Sequence, residues 1–177
     1  AQYRTPYTVD EILAAPLVAY PLTQPMCSPV GDGAAALVLC SADVVKKRGI
    51  AKPVKVLATV LGGGKDRAFN DPDITERLAH RAYETAGVGP EEIDVAEVHD
   101  ASAFGEVVQS EGLGFCPKGQ GGIFAEQGHS ALGGTLPINP SGGLESKGHP
   151  VGATGAAQIV ELVWQLRGEA SGRQVEN

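Results

Sequence analysis

The order of apolar segments in this chain marks an α/β protein built on a mainly parallel sheet. After residue 53, short apolar runs alternate three times with helix-length amphipathic segments, as strands joined by crossover helices do. The run AAALVLC (34–40) is continuous rather than alternating, which suits a strand covered on both faces. Finally, most of the 24 glycines lie after Gly112, and their share is about twice the ordinary ~7%. Loops that dense in glycine let backbone approach a neighbour or a ligand closely.

The elements follow in order. TVDEILAA (8–15) reads as a short helix with Thr8 as N-cap, Glu11 completing a capping box and Pro16 stopping it. LVAYPL (17–22) reads as a strand, and AAALVLC as a buried one with Cys40 in the core. Ser41 caps a brief helix, ADVVKKRG, closed by Gly49. VKVLATVL (54–61) is the next strand. NDPDITERLAHRAYETAG (70–87) is a helix with Asp71 as N-cap, an apolar stripe of Ile74, Leu78 and Ala82, and Gly87 as its end. PEEI gives one helical turn, DVAEVH (94–99) a buried strand and ASAFGEVVQSEGLG (101–114) a second helix. The excursion KGQGGIFAEQGHSALGG and the loop PSGGLESKGHPVGATG read as glycine-rich connections flanking a strand, TLPIN (135–139). The apolar helix AAQIVELVWQLRGEA (156–170) follows, with Ile159, Leu162, Val163, Trp164 and Leu166 as core. The closing GRQVEN reads as the start of a further strand.

The 14 basic against 21 acidic residues, a net charge of −7, argue against a nucleic-acid partner, because phosphate tracking needs a basic surface. No apolar run nears the roughly 20 residues of a spanning helix, and AQYRTPYT lacks the charge and apolar stretch of a signal peptide. We expect a cytoplasmic protein without membrane insertion. Cys27, Cys40 and Cys116 are odd in number and form no CxxC pair, so neither a disulfide scaffold nor a zinc ribbon is expected. We expect no metal site.

The sharpest chemical feature is Gly148-His149-Pro150-Val151-Gly152-Ala153-Thr154-Gly155 at the start of the last helix. Free N–H groups there offer a positive end for a thioester oxygen, phosphate or thiolate, and His149 is a candidate base. On spacing alone the glycines serve close helix–strand packing equally well. His99 ends the strand DVAEVH, where α/β sheets gather ligands, so it and His149 are placed to face one crevice. The alternative makes His99 a satisfied strand-end residue and Asp100 a helix N-cap. Asn139 with Ser141-Gly142-Gly143 opens towards the same edge, as turn chemistry or as ligand contact. His80 and His129 read as solvated, without partners. The loops match neither GxxxxGK[ST] nor GxGxxG, which disfavours nucleotide cradles.

The run NPSGGLESKGHPVGATGAAQIVELVWQLRGEA, with PMCSPVGDGAAALVLCS, EVHDASAFGEVVQSEGLGFCPKGQGG and QLRGEASGRQV, resembles the thiolases. The likeness is to the branch with the sterol carrier protein X thiolase domain and the bacterial lipid-transfer-protein thiolases, and it covers almost the whole chain. It implies a layered α/β/α/β/α fold, with residues 1–49 ending an N-terminal half and 50–177 forming most of the C-terminal half, short of a last hairpin after Asn177. The resemblance further implies acyltransferase chemistry on acyl-CoA thioesters, either 3-ketoacyl-CoA thiolysis or Claisen condensation, on a nucleophilic cysteine outside this chain. Coenzyme A would be a substrate and no cofactor would be held. His149 matches the histidine that activates the nucleophile and helps hold the thioester oxyanion. His99 matches the first position of the NEAF or HDCF motif, and Ala101, Ser102, Gly143, Gly148 and Gly152 lie where the acyl-CoA would run. Ala101 stands where the sterol-carrier branch has a proton-moving cysteine. Alanine transfers no proton, so two other classes stay open: a CoA-dependent retro-aldol lyase, and a non-catalytic lipid-transfer or scaffold subunit. The resemblance also implies a homo-oligomer, with room for a second subunit.

Overall fold

A computed structural model describes residues 1–68 and 70–176. Helix α1, Val9–Ala14, opens on the expected capping box: Thr8 Oγ1 accepts the Glu11 N–H at 3.2 Å and Glu11 Oε2 accepts the Thr8 N–H at 2.7 Å. The segment read as one strand, LVAYPL, instead folds back on itself as β1, Leu17–Ala19, and β2, Leu22–Thr23, an antiparallel hairpin turning at Tyr20-Pro21. Pro21 has no N–H to give a ladder, so a turn is the arrangement that uses it. Helix α2, Ala42–Arg48, keeps the expected Ser41 cap and Gly49 end.

The two runs expected as strands at 34–40 and 54–61 have no ladder partner among the described residues. Val38 is 94% exposed, Leu39 80% and Leu61 91%, and Cys40 is exposed rather than core. A strand is defined by the chain that pairs with it, and apolar patterning supplies the wish for a partner without the partner itself. Parallel pairing does occur where both partners are present. DVAEVH and TLPIN meet at the parallel bridge Ala96–Ile138, with Ala96 N–H donating to Pro137 O at 3.1 Å and Asn139 N–H to Ala96 O at 2.8 Å. Ala96, Val98 and Ile138 form the buried core there, with Leu113, Phe115 and Phe124 packed on it.

Helix α3, Ile74–Ala86, is capped by Asp73 rather than Asp71, the Asp73 carboxylate accepting the Glu76 N–H at 2.9 Å. Its Tyr83 hydroxyl donates to Leu113 O at 2.8 Å, tying it to the end of α4, Ala103–Gly112. Two helices lie inside segments read as glycine-rich connections: α5, Gly121–Glu126, and α6, Gly143–Lys147. Helix α7, Thr154–Arg167, meets the expected orientation only in part: Leu162 and Val163 are half-buried, but Ile159, Trp164 and Leu166 are exposed, Trp164 at 43%, and its buried residues are Thr154, Glu161 and Gln165. Glu161 is satisfied by Arg173 Nη2 at 2.9 Å and Gln165 Nε2 at 3.1 Å, and Gln165 also takes the Val175 N–H at 2.9 Å. Residues 171–173 thus make a 3₁₀ turn tied to α7 instead of a new strand, and Asn177 lies outside the described residues.

Candidate active site

The rings of His99 and His149 meet edge to face, with centroids 4.9 Å apart and planes at 84°. They come from separate elements, and each backbone is pinned independently. His149 N–H donates to Pro29 O at 2.8 Å, and Gly31 N–H donates to His149 O at 3.4 Å, forming a parallel bridge with Val30. His99 is gripped by the Gln109 side chain of α4: its N–H donates to Gln109 Oε1 at 3.2 Å, and Gln109 Nε2 donates to His99 O at 2.8 Å. One residue earlier, Val98 N–H donates to Asn139 Oδ1 at 2.8 Å and Val98 O accepts Gln158 Nε2 from α7 at 2.6 Å. The histidine pair therefore sits where loop 29–31, α4, α7 and the turn after Ile138 converge.

The glycines of the loop divide by purpose. Gly148 has φ +100°, and a Cβ there or on Gly31 would run into the Gln2 side chain, whose backbone N–H is held by Ser146 O at 2.9 Å. Gly143, with φ +56°, lies against the Asp100 carboxylate, which leaves no room for a Cβ. Gly152 has open space on that side. Gly31–Ala35 and Pro150–Ala153 line an open groove of about 430 Å³ beside His149.

Asp100, buried, does not cap α4. Ser102 does, its Oγ accepting the Gly105 N–H at 3.3 Å, which gives Ser102 a structural task at a position expected along the acyl-CoA path. The Asp100 carboxylate reaches α6 instead, accepting the Leu144 N–H at 2.8 Å and the Glu145 N–H at 3.4 Å. A carboxylate on a helix N-terminus satisfies orphan donors and the helix dipole together. Asn139, φ +52°, is likewise structural: its Nδ2 donates to Glu106 Oε2 at 3.2 Å. Ser141 gives Glu97 both its N–H, at 3.0 Å, and its hydroxyl, at 2.8 Å.

Burial raises the carboxyl groups of Glu97, Asp100 and Glu106 above their ordinary range, against hydrogen bonds that lower them. Glu145 goes furthest, to about 7, through burial and the nearby charges of Asp100 and Glu106. Lys147 is the cation that offsets Glu97 and Asp100. Among the described residues no group of His, Cys, Asp or Glu is arranged to hold a metal ion.

Ala101 is exposed and Ser102 half-buried beside the histidine pair, and Ala101 O accepts the Ser28 N–H at 3.1 Å. Cys27 bridges to Ser102 in the backbone, and the Cys116 thiol is pushed up by burial and by Glu111. His129 is not free as expected. Its ring nitrogens lie 3.0 Å from Thr135 Oγ1 and 3.2 Å from Gln127 Oε1, and the ring stacks on Phe124. His80 faces Glu84 at 3.5 Å on the surface of α3. The residues missed in the sequence are Asp100 as the cap of α6, and Gln109, Gln158 and Thr154 as supports. Only Thr154, inside the glycine loop, carried a local signal.

The chain aligns with the solved structure of the Ltp2-ChsH2(DUF35) aldolase at a TM-score of 0.78 over 93% of this chain and 44% of that one, at 23% identity, a likeness of fold. The model of the thiolase C-terminal domain-like family matches residues 68–177, and the chain belongs to that family. Among curated proteins it is 42% identical to the benzoylsuccinyl-CoA thiolase subunit BbsB of Thauera aromatica, over 99% of this chain and 47% of that protein. It is 43% identical to human sterol carrier protein 2, covering 34% of it, and 43% identical to the acetyl-CoA acetyltransferase of Methanothermobacter thermautotrophicus, covering 47%. The chain spans half or less of the length of these relatives. No helix among the described residues is long and apolar enough to cross a membrane.

Proposed function

We propose that this chain carries the histidine side of a thiolase-type acyl-transfer site acting on acyl-CoA thioesters. The observation that carries it is the His99–His149 pair, edge to face at the opening of a glycine-rich helix start. In this reading residues 1–49 end one thiolase half and 50–177 form the other, and the nucleophile is a cysteine outside the chain. His149 takes the thiol proton as the sulfur attacks the 3-keto carbonyl, the C2–C3 bond breaks, and the enolate of the shortened acyl-CoA leaves and takes up a proton. His99 and His149 stabilise the charge that develops on the carbonyl and thioester oxygens, and the thiol of coenzyme A, a substrate, then displaces the acyl group from the cysteine sulfur. Ala101 and Gly152 leave the approach to the rings unobstructed, while Gly148 makes room for the Gln2 side chain and Gly143 serves through Asp100 and α6.

A second reading is a CoA-linked retro-aldol lyase. It is supported by Ala101, which supplies no proton where the sterol-carrier branch has a cysteine, and by the fold shared with a protein whose name says aldolase. A second subunit is supported by BbsB being named a thiolase subunit and Ltp2 being named with ChsH2. The test is turnover by the intact protein. Loss of a 3-ketoacyl-CoA that requires free CoA, falling about 10²–10⁴-fold in His149→Ala, supports acyl transfer. Cleavage of a 3-hydroxyacyl-CoA without added CoA replaces it with the lyase, and unchanged turnover in His149→Ala removes the histidine site altogether.

A further inference from the structure

We propose that Thr154 fixes which nitrogen of His149 is free to act, holding the proton on Nδ1 and leaving the lone pair on Nε2. Thr154 is then a positioning residue, and its catalytic meaning rests on the acyl-transfer reading above. Thr154 is 1% exposed at the first turn of α7. Its Oγ1 lies 2.8 Å from His149 Nδ1 and donates to Pro150 O at 3.1 Å.

A hydroxyl has one proton and two lone pairs, so only two arrangements exist. In the first, His149 Nδ1–H donates to Thr154 Oγ1, whose own proton goes to Pro150 O, making two bonds in a chain. In the second, the hydroxyl donates to Nδ1, making one bond and leaving the oxygen's lone pairs without a donor. Pro150 O already accepts the N–H groups of Ala153 at 2.8 Å and Thr154 at 3.0 Å, so the first arrangement adds a third donor to one carbonyl. That crowding weakens one bond, whereas the second arrangement forfeits it and leaves the oxygen of a buried hydroxyl with no donor. Buried polar groups settle where the most partners are met, and linked bonds strengthen one another, which favours the first arrangement.

The side chain is suited to the task. A β-branched residue is stiff at χ1, and a threonine hydroxyl turned back to the carbonyl four residues earlier stays there. With the His149 backbone pinned to Pro29 and Gly31 and its Nδ1 spent on α7, Nε2 is the nitrogen left for chemistry.

The experiment is long-range ¹H–¹⁵N spectroscopy of the histidine-labelled intact protein up to pH 9, where imidazoles are ordinarily neutral, with the His149 signals assigned through His149→Gln. The wild type is expected to show Nδ1 protonated and Nε2 bare. Thr154→Val, which keeps the shape and loses the hydroxyl, is expected to shift the ring towards Nε2–H, and Thr154→Ser to restore the wild-type pattern. A wild type with its proton on Nε2, or a folded Thr154→Val with an unchanged ring, overturns the proposal. Should Thr154→Val fail to fold, the wild-type spectrum decides alone. The spectra read the tautomer whether or not the protein transfers acyl groups, so failure of the functional reading is seen separately. Where acyl transfer is present, Thr154→Val is expected to lower kcat/KM about tenfold or more, part of the ~10²–10⁴ a positioned base supplies, and to alter its pH profile.

Discussion

Residues 34–61 and residues 94–158 of the same chain solve the problem of apolar sequence in opposite ways. In the first stretch Val38, Leu39 and Leu61 lie almost fully exposed, with no ladder beside them among the described residues. In the second, Leu144 is 0% exposed, and side-chain bonds from Asp100, Gln109, Asn139 and Gln158 hold the backbone around the histidine pair. The difference is one of partnership rather than of hydrophobicity. A strand needs another chain segment along its whole edge, while a loop site can be locked by a few buried polar groups reaching across from neighbouring elements.

Substitutions sharpen this contrast, starting with the largest. Leu144→Ala should cost about 2–5 kcal/mol in urea unfolding of the protein, whereas Leu39→Ala should stay within about 0.5 kcal/mol while residue 39 remains uncovered. Equal costs would break the comparison. Gly143→Ala should follow, at about 1–3 kcal/mol, because positive φ strains alanine and its Cβ meets Asp100. Gly152→Ala, facing open space, should change thermal stability by less than about 0.5 kcal/mol.

The dependence on pH is smaller and has a definite sign. Glu145 titrates at about 7 in the fold against an ordinary 4.5, so the folded state binds more protons between those values. Stability therefore falls as pH rises from 4.5 to 7, since the charged form is the one the fold penalises. Asp100 and Glu106, raised in the same direction, add to this decline, and Lys147 opposes it at Asp100. Glu145→Gln should flatten the decline in a Tm-versus-pH series without abolishing it. An unchanged slope would show that Glu145 is solvated as an ordinary carboxyl.

Local rules were legible in the sequence where the controlling residue is close by. The capping box of Thr8 and Glu11 and the Ser41 to Gly49 helix follow from residues within one turn. Asp71 and Asp73 both satisfy the N-cap pattern, but the Asp71 carboxylate is spent on the Ala68 N–H at 3.0 Å and Asp73 caps the helix. Helix α6 was hidden because its cap, Asp100, lies 44 residues away from Leu144. Apolar content marks Trp164 for the inside, yet the fully buried positions of α7 are the polar row Thr154, Glu161 and Gln165. The proximity of the histidines was legible from strand-end placement. The supports that aim them were not, because glutamine and threonine have no sequence signature for that task.

The central claim is that His99 and His149 act as one site, and a double-mutant cycle on the intact protein tests it most directly. Turnover of a 3-ketoacyl-CoA with CoA would be measured for His99→Ala, His149→Ala and the pair, beside unfolding curves for each. Residues acting as a unit are strongly non-additive, so the double variant should be scarcely slower than His149→Ala alone. Losses that simply multiply, in three variants of unchanged stability, would show two independent histidines and contradict the account.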